Sequence, residues 1–276
     1  AKAKIRRSSL YLAWDFTIAS ERNLSERALS MRNRSFAALG DTNLADGKVV
    51  GKAPAYKIDK VEDYSTAQST RIARQITGHV TVPCYLTKAC APGGKMGYAK
   101  SKKGKFDSIP NQQGTMEAFF ICRIPRTAMT TPARPSLYGH GLLGSPGEIG
   151  AGNVDDMASE HNMIFCATPE IGMADEDVPN AIALLGDMSQ FSSMADRLQQ
   201  GLLNELILGR LMINPSGFAA AEAFKSASTS QSAIDTSALY YDSNSQGAIL
   251  GGALTALSPD FTRAVLGVGG MNYSLL

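Results

Sequence analysis

The first part of the chain alternates short apolar elements with polar loops. Apolar positions between residues 20 and 39 recur at helical spacing and follow Ser20, a residue type that commonly caps helices. Other apolar segments alternate with polar residues in the period-two manner of half-exposed strands. Strands are therefore predicted over 10–16, 48–64 and 74–86. Together with a Gly-, Lys- and Ser-rich loop over 91–104, they predict an N-terminal accessory α+β region spanning residues 1–114.

From residue 115 onward, strand patterns and helix patterns follow one another regularly. Strand-like apolar runs are predicted over 116–125, 134–141, 163–170, 238–243 and 263–270. Helical spacing is found over 154–162, 194–213 and 247–257. Strands alternating with helices predict an α/β core over residues 115–276, with a mostly parallel sheet and helices on both faces. In such sheets, binding sites form beyond the carboxyl ends of the strands.

Composition and charge narrow the possible partners. The chain has 276 residues, of which 44% are hydrophobic, and a formal net charge of +2. This length allows one or two domains. Basic residues cluster only near the N-terminus and over 100–105, without the interleaved aromatic residues of a nucleic-acid surface. No apolar run approaches the roughly 20 residues that span a bilayer, so neither a nucleic-acid partner nor a transmembrane segment is predicted.

The four cysteines bear on the cellular compartment. Cys84 and Cys90 bracket a five-residue loop, whereas Cys122 and Cys166 each lie in a strand-like run. Four cysteines allow three pairings, of which a local Cys84–Cys90 bridge is predicted, and such a bridge favours an oxidising compartment. Four reduced thiols in a cytosolic protein are the alternative. Neither pair of cysteines has further cysteine or histidine residues at the spacing of a zinc site, and no cofactor is indicated.

A candidate nucleophile lies at residue 245. The segment 243–247, SNSQG, has the form small-x-Ser-x-Gly, a variant of the G-x-S-x-G turn. It follows a predicted strand and precedes a helix rich in small residues. A turn this tight requires small residues two before and two after the serine, as Ser243 and Gly247 are. The turn lifts the Ser245 hydroxyl above the sheet edge, and the helix N-terminus adds a backbone N–H and a positive dipole end.

A glycine-rich segment supports this interpretation. GHGLLG, residues 139–144, ends a predicted strand about a hundred residues before the serine. In acyl-transfer enzymes, such a loop can direct a backbone N–H at the oxyanion that develops in the transition state. We expect His140 and Gly141 to shape the loop, with the His140 ring making structural hydrogen bonds and transferring no proton.

Residues 134–276 resemble an α/β-hydrolase. HGLLG resembles the oxyanion loop of bacterial lipases and esterases, and SNSQG resembles their serine turn. The whole chain is similar to secreted bacterial hydrolases that are related to the lipases and carry an extra N-terminal domain. The resemblance implies a secreted enzyme that hydrolyses small or lipid-like carboxylic esters through an acyl-enzyme. Ser245 would be the nucleophile, and the N–H groups of Leu142 and Gln246 would form the oxyanion hole.

Two alternatives remain at this stage. A serine peptidase or amidase on the same scaffold would pass through the same tetrahedral intermediate, so the serine turn does not exclude it. A non-catalytic binding protein that retains the hydrolase sheet is the other alternative. It is supported by the missing glycine two residues before Ser245 and by the missing catalytic base.

The order of residues along the chain departs from the family pattern. Hydrolases of this fold place the acid and then the histidine after the serine. The three histidines of this chain all precede Ser245: His79, His140 and His161. Upstream carboxylates are disfavoured as triad acids for the same reason: Asp156, Asp175 and Asp177. We therefore expect an N-terminal piece of a longer protein, whose C-terminal piece is the partner that supplies the histidine, the acid and a strand to pair with 263–270.

One acidic segment has two interpretations. Residues 169–180, PEIGMADEDVPN, follow a predicted strand and carry four carboxylates. A solvated loop is predicted, because the segment lacks the alternating oxygen ligands and central glycine of a Ca²⁺ loop. A position at the rim of the active site, or binding of a cation, is the alternative.

Overall fold

The computed structural model describes residues 5–12, 18–100, 103–226 and 229–270. The helices in these residues are α1 (Glu21–Leu39), α2 (Gly152–His161), α3 (Val178–Gly186), α4 (Ser192–Ile213) and α5 (Gln246–Leu257). The strands are β1 (Tyr56–Asp63), β2 (Ile72–Cys84), β3 (Gly114–Pro125), β4 (Arg134–Gly139), β5 (Met163–Ala167), β6 (Leu239–Asn244) and β7 (Phe261–Gly267). Short 3₁₀ helices join several of them. Most of the strand predicted over 10–16 lies outside the described residues.

The strands form one seven-stranded sheet in the order β1-β2-β3-β5-β4-β6-β7. The pairs β1–β2, β2–β3 and β3–β5 are antiparallel, and the pairs β4–β5, β4–β6 and β6–β7 are parallel. It follows that β2, β4, β5, β6 and β7 all point in one direction. Their carboxyl ends therefore meet at one edge of the sheet, and this edge carries the candidate site.

Helices cover both faces of the sheet, as the sequence predicts. Successive residues of β4 show the alternation, because Leu137 belongs to the main core beneath α4 and Tyr138 belongs to a smaller core beneath α2. The main core also receives Phe36 of α1 and Leu254 of α5. A mixed sheet whose strands β5, β4, β6 and β7 run parallel, between two helical layers and with a serine at the turn from β6 to α5, fits the α/β-hydrolase fold.

Helix α4 is the most deeply buried helix and fixes its neighbours. Gly209 brings it close to the sheet, since an added Cβ there would lie 2.8 Å from a Leu239 methyl carbon. The guanidinium of Arg210, 1% exposed, binds Asp41 beyond the end of α1 at 2.6 Å and Asp260 before β7 at 2.8 Å. A buried charge is tolerated only when it is paired, so Arg210 holds α1 and the start of β7 against α4.

The N-terminal segment continues the same sheet. β1 and β2 extend it beyond β3, which begins at Gly114, the last residue of the predicted accessory region. The strand predicted over 48–64 is shorter than expected, because only Tyr56–Asp63 pairs with β2. Helix α1 begins after Ser20, whose side chain accepts from Asn23 N as predicted. The division into domains at residue 114 stays a prediction.

The four cysteines form two disulfide bonds. The predicted Cys84–Cys90 bridge is confirmed, and a second bridge joins Cys122 of β3 to Cys166 of β5, which face each other in the antiparallel register. All four cysteines are thus paired. Two disulfides are consistent with an oxidising compartment. Among the described residues, no helix is long and apolar enough to cross a membrane.

The two disulfides should differ in their contribution to stability. In the chain-entropy view, a bridge across 44 residues stabilises the fold by about 4 kcal/mol and one across 6 residues by about 2 kcal/mol. We expect the double variant Cys122→Ala/Cys166→Ala to lose about twice as much free energy of unfolding in urea as Cys84→Ala/Cys90→Ala. A larger loss for the short bridge would contradict this ranking.

Candidate active site

Ser245 occupies the turn between β6 and α5 in an unusual backbone conformation. Its φ is 56° and its ψ is −117°, a region that residues other than glycine rarely adopt. Such a conformation costs on the order of 1–3 kcal/mol and persists only when the surroundings impose it. The Ser245 amide donates to the Gly267 carbonyl at 3.0 Å, which ties the turn to the end of β7.

Small residues on either side of the serine permit this turn. Gly247 lies against the end of β4, where an added Cβ would overlap the Gly139 carbonyl oxygen. Its amide donates to the His140 carbonyl at 2.9 Å. Two residues before the serine, the buried Ser243 pairs with Gly139 in the sheet and donates its hydroxyl to the Val265 carbonyl at 3.0 Å. The requirement for small residues predicted from SNSQG therefore has a direct steric cause.

The loop over 140–144 follows β4 and adjoins the serine turn. Three hydrogen bonds from its own amides hold it in place. They run from Gly141 N to Glu148 Oε2 at 2.9 Å, from Leu143 N to Gln246 Oε1 at 3.4 Å and from Gly144 N to Gly141 O at 3.0 Å. Leu143 adopts a positive φ of 49°, which turns the loop back on itself. The loop thus has a defined shape before any ligand binds.

The amides predicted for the oxyanion hole belong to this loop and to the helix. Whereas the amides on either side are engaged, the Leu142 N–H has no hydrogen-bond partner in the part of the chain that the structure describes. Gln246 is the first residue of α5, directly after Ser245, where the helix dipole places partial positive charge. The structure thus brings Ser245, Leu142 and Gln246 to one edge of the sheet.

His140 is a buried, neutral histidine. Its Nδ1 lies 2.9 Å from the Gly141 carbonyl, to which it donates, and its Nε2 accepts from the Glu170 amide at 2.9 Å. Burial is the main cause that lowers the pKa of the ring, which favours this neutral tautomer. Because both ring nitrogens are engaged, His140 joins two loops and offers no nitrogen to Ser245.

The other two histidines lie away from the serine. His79 is in β2, where its Nδ1 lies 2.6 Å from Asp59 of β1, and three strands separate it from β6. His161 ends α2 beside the start of β4, at the opposite edge of the sheet from Ser245. All three histidines of the chain lie in the described residues, and none is placed to take a proton from Ser245.

A buried carboxyl, Glu170, lies directly behind the serine turn. Gln246 Nε2 donates to its Oε2 at 3.2 Å and to the Met173 carbonyl at 3.0 Å. Tyr241 Oη of β6 lies 3.4 Å from Glu170 Oε1. Burial raises the pKa of Glu170 to about 8, so its carboxyl is largely neutral at pH 7. Glu170 was not among the site residues predicted from the sequence.

The acidic segment 169–180 is only partly solvated, which corrects the prediction for it. Glu170 is 4% exposed and Asp177 is fully buried, whereas Asp175 is exposed. Asp177 accepts from Arg197 Nε of α4 at 2.6 Å and from the Gly172 amide at 2.6 Å. The segment therefore packs against α4 and lies behind the serine turn.

The upstream carboxylates considered as triad acids have other partners or positions. Asp177 is engaged by Arg197, and Asp156 of α2 pairs with Arg71 at 2.5 Å. Asp175 donates its backbone amide to the Gly144 carbonyl and thereby supports the loop over 140–144. None of these three contacts involves a histidine.

Several solved structures with a similar chain path are esterases. Acetyl xylan esterase 1 from Thermoanaerobacterium sp. JW/SL YS485 has a TM-score of 0.47 and 14% identity, over 90% of this chain and 58% of that one. An acetyl xylan esterase from Paenibacillus sp. R4 has a TM-score of 0.43 and 14% identity, over 90% and 61%. The rice cell wall degrading esterase LipA from Xanthomonas oryzae has a TM-score of 0.33 and 12% identity, over 78% and 49%.

The chain spans about half to three fifths of the length of these esterases. No protein-family model and no curated protein sequence matches it.

The contact between Gly139 and Gly247 leads to a prediction about stability. Gly247→Ala should lower the free energy of unfolding by about 1–3 kcal/mol, because the new methyl group overlaps backbone that cannot move freely. Gly252→Ala in the same helix is the matched control, since an added Cβ there meets nothing within 4 Å. The control should be about 0.5–1 kcal/mol more stable than the wild type in urea unfolding. Equal stability of the two variants would contradict the proposed close packing.

Proposed function

We propose that this chain carries the nucleophile of a serine hydrolase that acts on carboxylic esters. The observation that carries the proposal is the strained conformation of Ser245, φ 56° and ψ −117°, beside a preformed loop with an available amide. A strained backbone that a close glycine contact maintains is typical of functional sites, where the strain directs a side chain. A fold alone does not require this conformation at a serine.

The proposed reaction proceeds through an acyl-enzyme. Ser245 Oγ attacks the ester carbonyl carbon and loses its proton to a base, and the carbonyl oxygen becomes an oxyanion. The N–H groups of Leu142 and Gln246 stabilise this charge, each donor being worth roughly 10²- to 10³-fold in turnover. Collapse of the intermediate releases the alcohol, which takes up the proton. Water then attacks the acyl-enzyme in the same manner and releases the carboxylic acid.

We propose that the base comes from outside the residues that the structure describes. A serine hydroxyl is almost fully protonated at neutral pH and attacks slowly unless a base accepts its proton. Neither ring nitrogen of His140 is available, and His79 and His161 are remote. We therefore assign the histidine and its acid to further polypeptide of the same protein, the partner expected from the order of residues along the chain.

We also propose that the enzyme works outside the cytoplasm on a small or lipid-like ester. Two disulfides support an oxidising compartment, since such bonds are rare in the reducing cytosol. The partial positive charge at the start of α5 favours an intermediate with a developing negative charge, as ester hydrolysis requires.

Replacement of the serine tests the proposal most simply. In the complete protein that contains this chain, Ser245→Ala should lower kcat for p-nitrophenyl acetate by a factor on the order of 10⁶, to the residual rate that binding and the oxyanion amides support. Loss of the nucleophile removes the acyl-enzyme, whereas the oxyanion amides and the fold stay in place. Initial rates of nitrophenolate release at pH 7 give the measurement.

Ser243→Ala provides the matched control. Ser243 lies two residues away on β6, and its hydroxyl is directed to the Val265 carbonyl. Alanine is small enough for this position, so hydrolysis should fall by less than about tenfold. If Ser245→Ala keeps wild-type turnover, Ser245 is not the nucleophile. A wild-type protein that hydrolyses no ester would instead favour the non-catalytic binding protein.

A further inference from the structure

Gln246 links the Glu170 carboxyl to both parts of the proposed oxyanion hole. Gln246 contributes its amide to the hole, and its side chain donates to Glu170 Oε2 at 3.2 Å and accepts from the Leu143 amide at 3.4 Å. The Glu170 amide in turn donates to the His140 ring at 2.9 Å. Glu170 therefore lies at the junction of the loop after β4, the loop after β5 and the start of α5.

The hydrogen bonds of Tyr241 favour a protonated Glu170 carboxyl. The single hydroxyl proton of Tyr241 can serve only one of two neighbours, Gly247 O at 2.7 Å or Glu170 Oε1 at 3.4 Å. The shorter bond to Gly247 takes this proton. The phenol oxygen is then free to accept from Glu170 Oε1 at 3.4 Å, which is possible only when the Glu170 carboxyl is protonated. Geometry alone thus favours the chain Glu170 O–H to Tyr241 O–H to the Gly247 carbonyl.

The charged and titratable groups around Glu170 also favour its neutral form. Glu205 of α4 lines the same small cavity, is fully buried, and has no hydrogen-bond partner for either carboxyl oxygen among the described residues. Burial raises the pKa of Glu205 well above its usual range. Glu148 lies near enough to raise the pKa of Glu170 further, and the neutral His140 supplies no positive charge. In the described part of the chain, no Lys or Arg pairs with Glu170.

We propose that Glu170, as a neutral carboxylic acid, is a positioning residue that holds the Gln246 side chain and thereby the spacing of the two oxyanion amides. This inference rests on the proposed hydrolase function and adds to it a residue that does not touch the substrate. Gln246 is the connecting element, because its backbone belongs to the hole while its side chain spans the two loops.

Ionisation of Glu170 would oppose catalysis for two physical reasons. A carboxylate one side chain behind the hole repels the negative charge that develops on the substrate oxygen, and burial strengthens this repulsion. A carboxylate would also take the Tyr241 proton away from the Gly247 carbonyl. Since the pKa of Glu170 is about 8, the neutral form prevails at pH 7 and is lost as the pH rises through that value. Turnover should therefore fall on the alkaline side.

Two substitutions of Glu170 in the complete protein test the proposal. Glu170→Ala should lower kcat for p-nitrophenyl acetate by roughly 10²-fold at pH 7, the order expected for a displaced oxyanion donor, and change KM by less than about threefold. Glu170→Gln can accept from Gln246 and donate to Tyr241 as the neutral acid does, so it should rescue most of this loss. Its kcat should also show no fall between pH 7 and pH 9, where the wild type falls. Glu160→Gln, at an exposed position of α2, is the control and should retain the wild-type profile.

The outcomes separate this inference from the proposed function. A Glu170→Gln enzyme with the wild-type alkaline fall overturns the role of Glu170, and so does a Glu170→Ala enzyme with wild-type kcat. If Glu170→Ala does not fold, the pH profile of Glu170→Gln still decides. Ester hydrolysis that persists in Ser245→Ala overturns the proposed nucleophile instead, without involving Glu170.

Discussion

The close approach of two backbone segments, at Gly139 and Gly247, is the constraint on which the candidate site depends. No side chain fits between the end of β4 and the first turn of α5. This contact lets the Gly247 amide reach the His140 carbonyl at 2.9 Å. It also forces the chain to reverse direction at residue 245, which gives Ser245 its strained φ and ψ. The loop over 140–144 and the serine are therefore positioned by one contact and not by two independent loops.

Behind this contact, the protein places neutral polar groups and keeps its charged pairs elsewhere. His140, Tyr241, Gln246 and Glu170 connect through hydrogen bonds, and burial shifts the pKa of each titratable member towards its neutral form. The buried ion pairs lie at the two ends of α4 instead, with Arg197 near its start and Arg210 near its end. A buried network is stabilising only when each member is satisfied. Because the network is neutral, the electric field at Ser245 comes mainly from the helix dipole and the backbone amides.

Much of the fold could be predicted from the sequence because its signals are local. The helical spacing of 194–213 corresponds to α4 (Ser192–Ile213), and SNSQG predicted the strand–turn–helix around Ser245. The pairing of Cys84 with Cys90 could be predicted because the two residues are only six positions apart. The bridge between Cys122 and Cys166 depends on the antiparallel pairing of β3 with β5, which the local pattern does not specify.

The cluster around Glu170 could not be predicted for a related reason. PEIGMADEDVPN has the composition of a solvated loop, and burial of Glu170 and Asp177 depends on contacts with α4, β6 and α5. Helix α3 (Val178–Gly186) begins within this segment and was not predicted. An available signal was Gln246, since a polar residue at the start of an otherwise apolar helix requires partners.

The most direct test of the account is to locate the reactive residue chemically. The complete native protein is treated with a fluorophosphonate, digested, and mapped by mass spectrometry. An activated serine reacts with this reagent, whereas an ordinary hydroxyl does not. The account predicts a single phosphonyl adduct, on Ser245 within the peptide that joins β6 to α5. An adduct on another residue, or no adduct in a protein that hydrolyses esters, would contradict it.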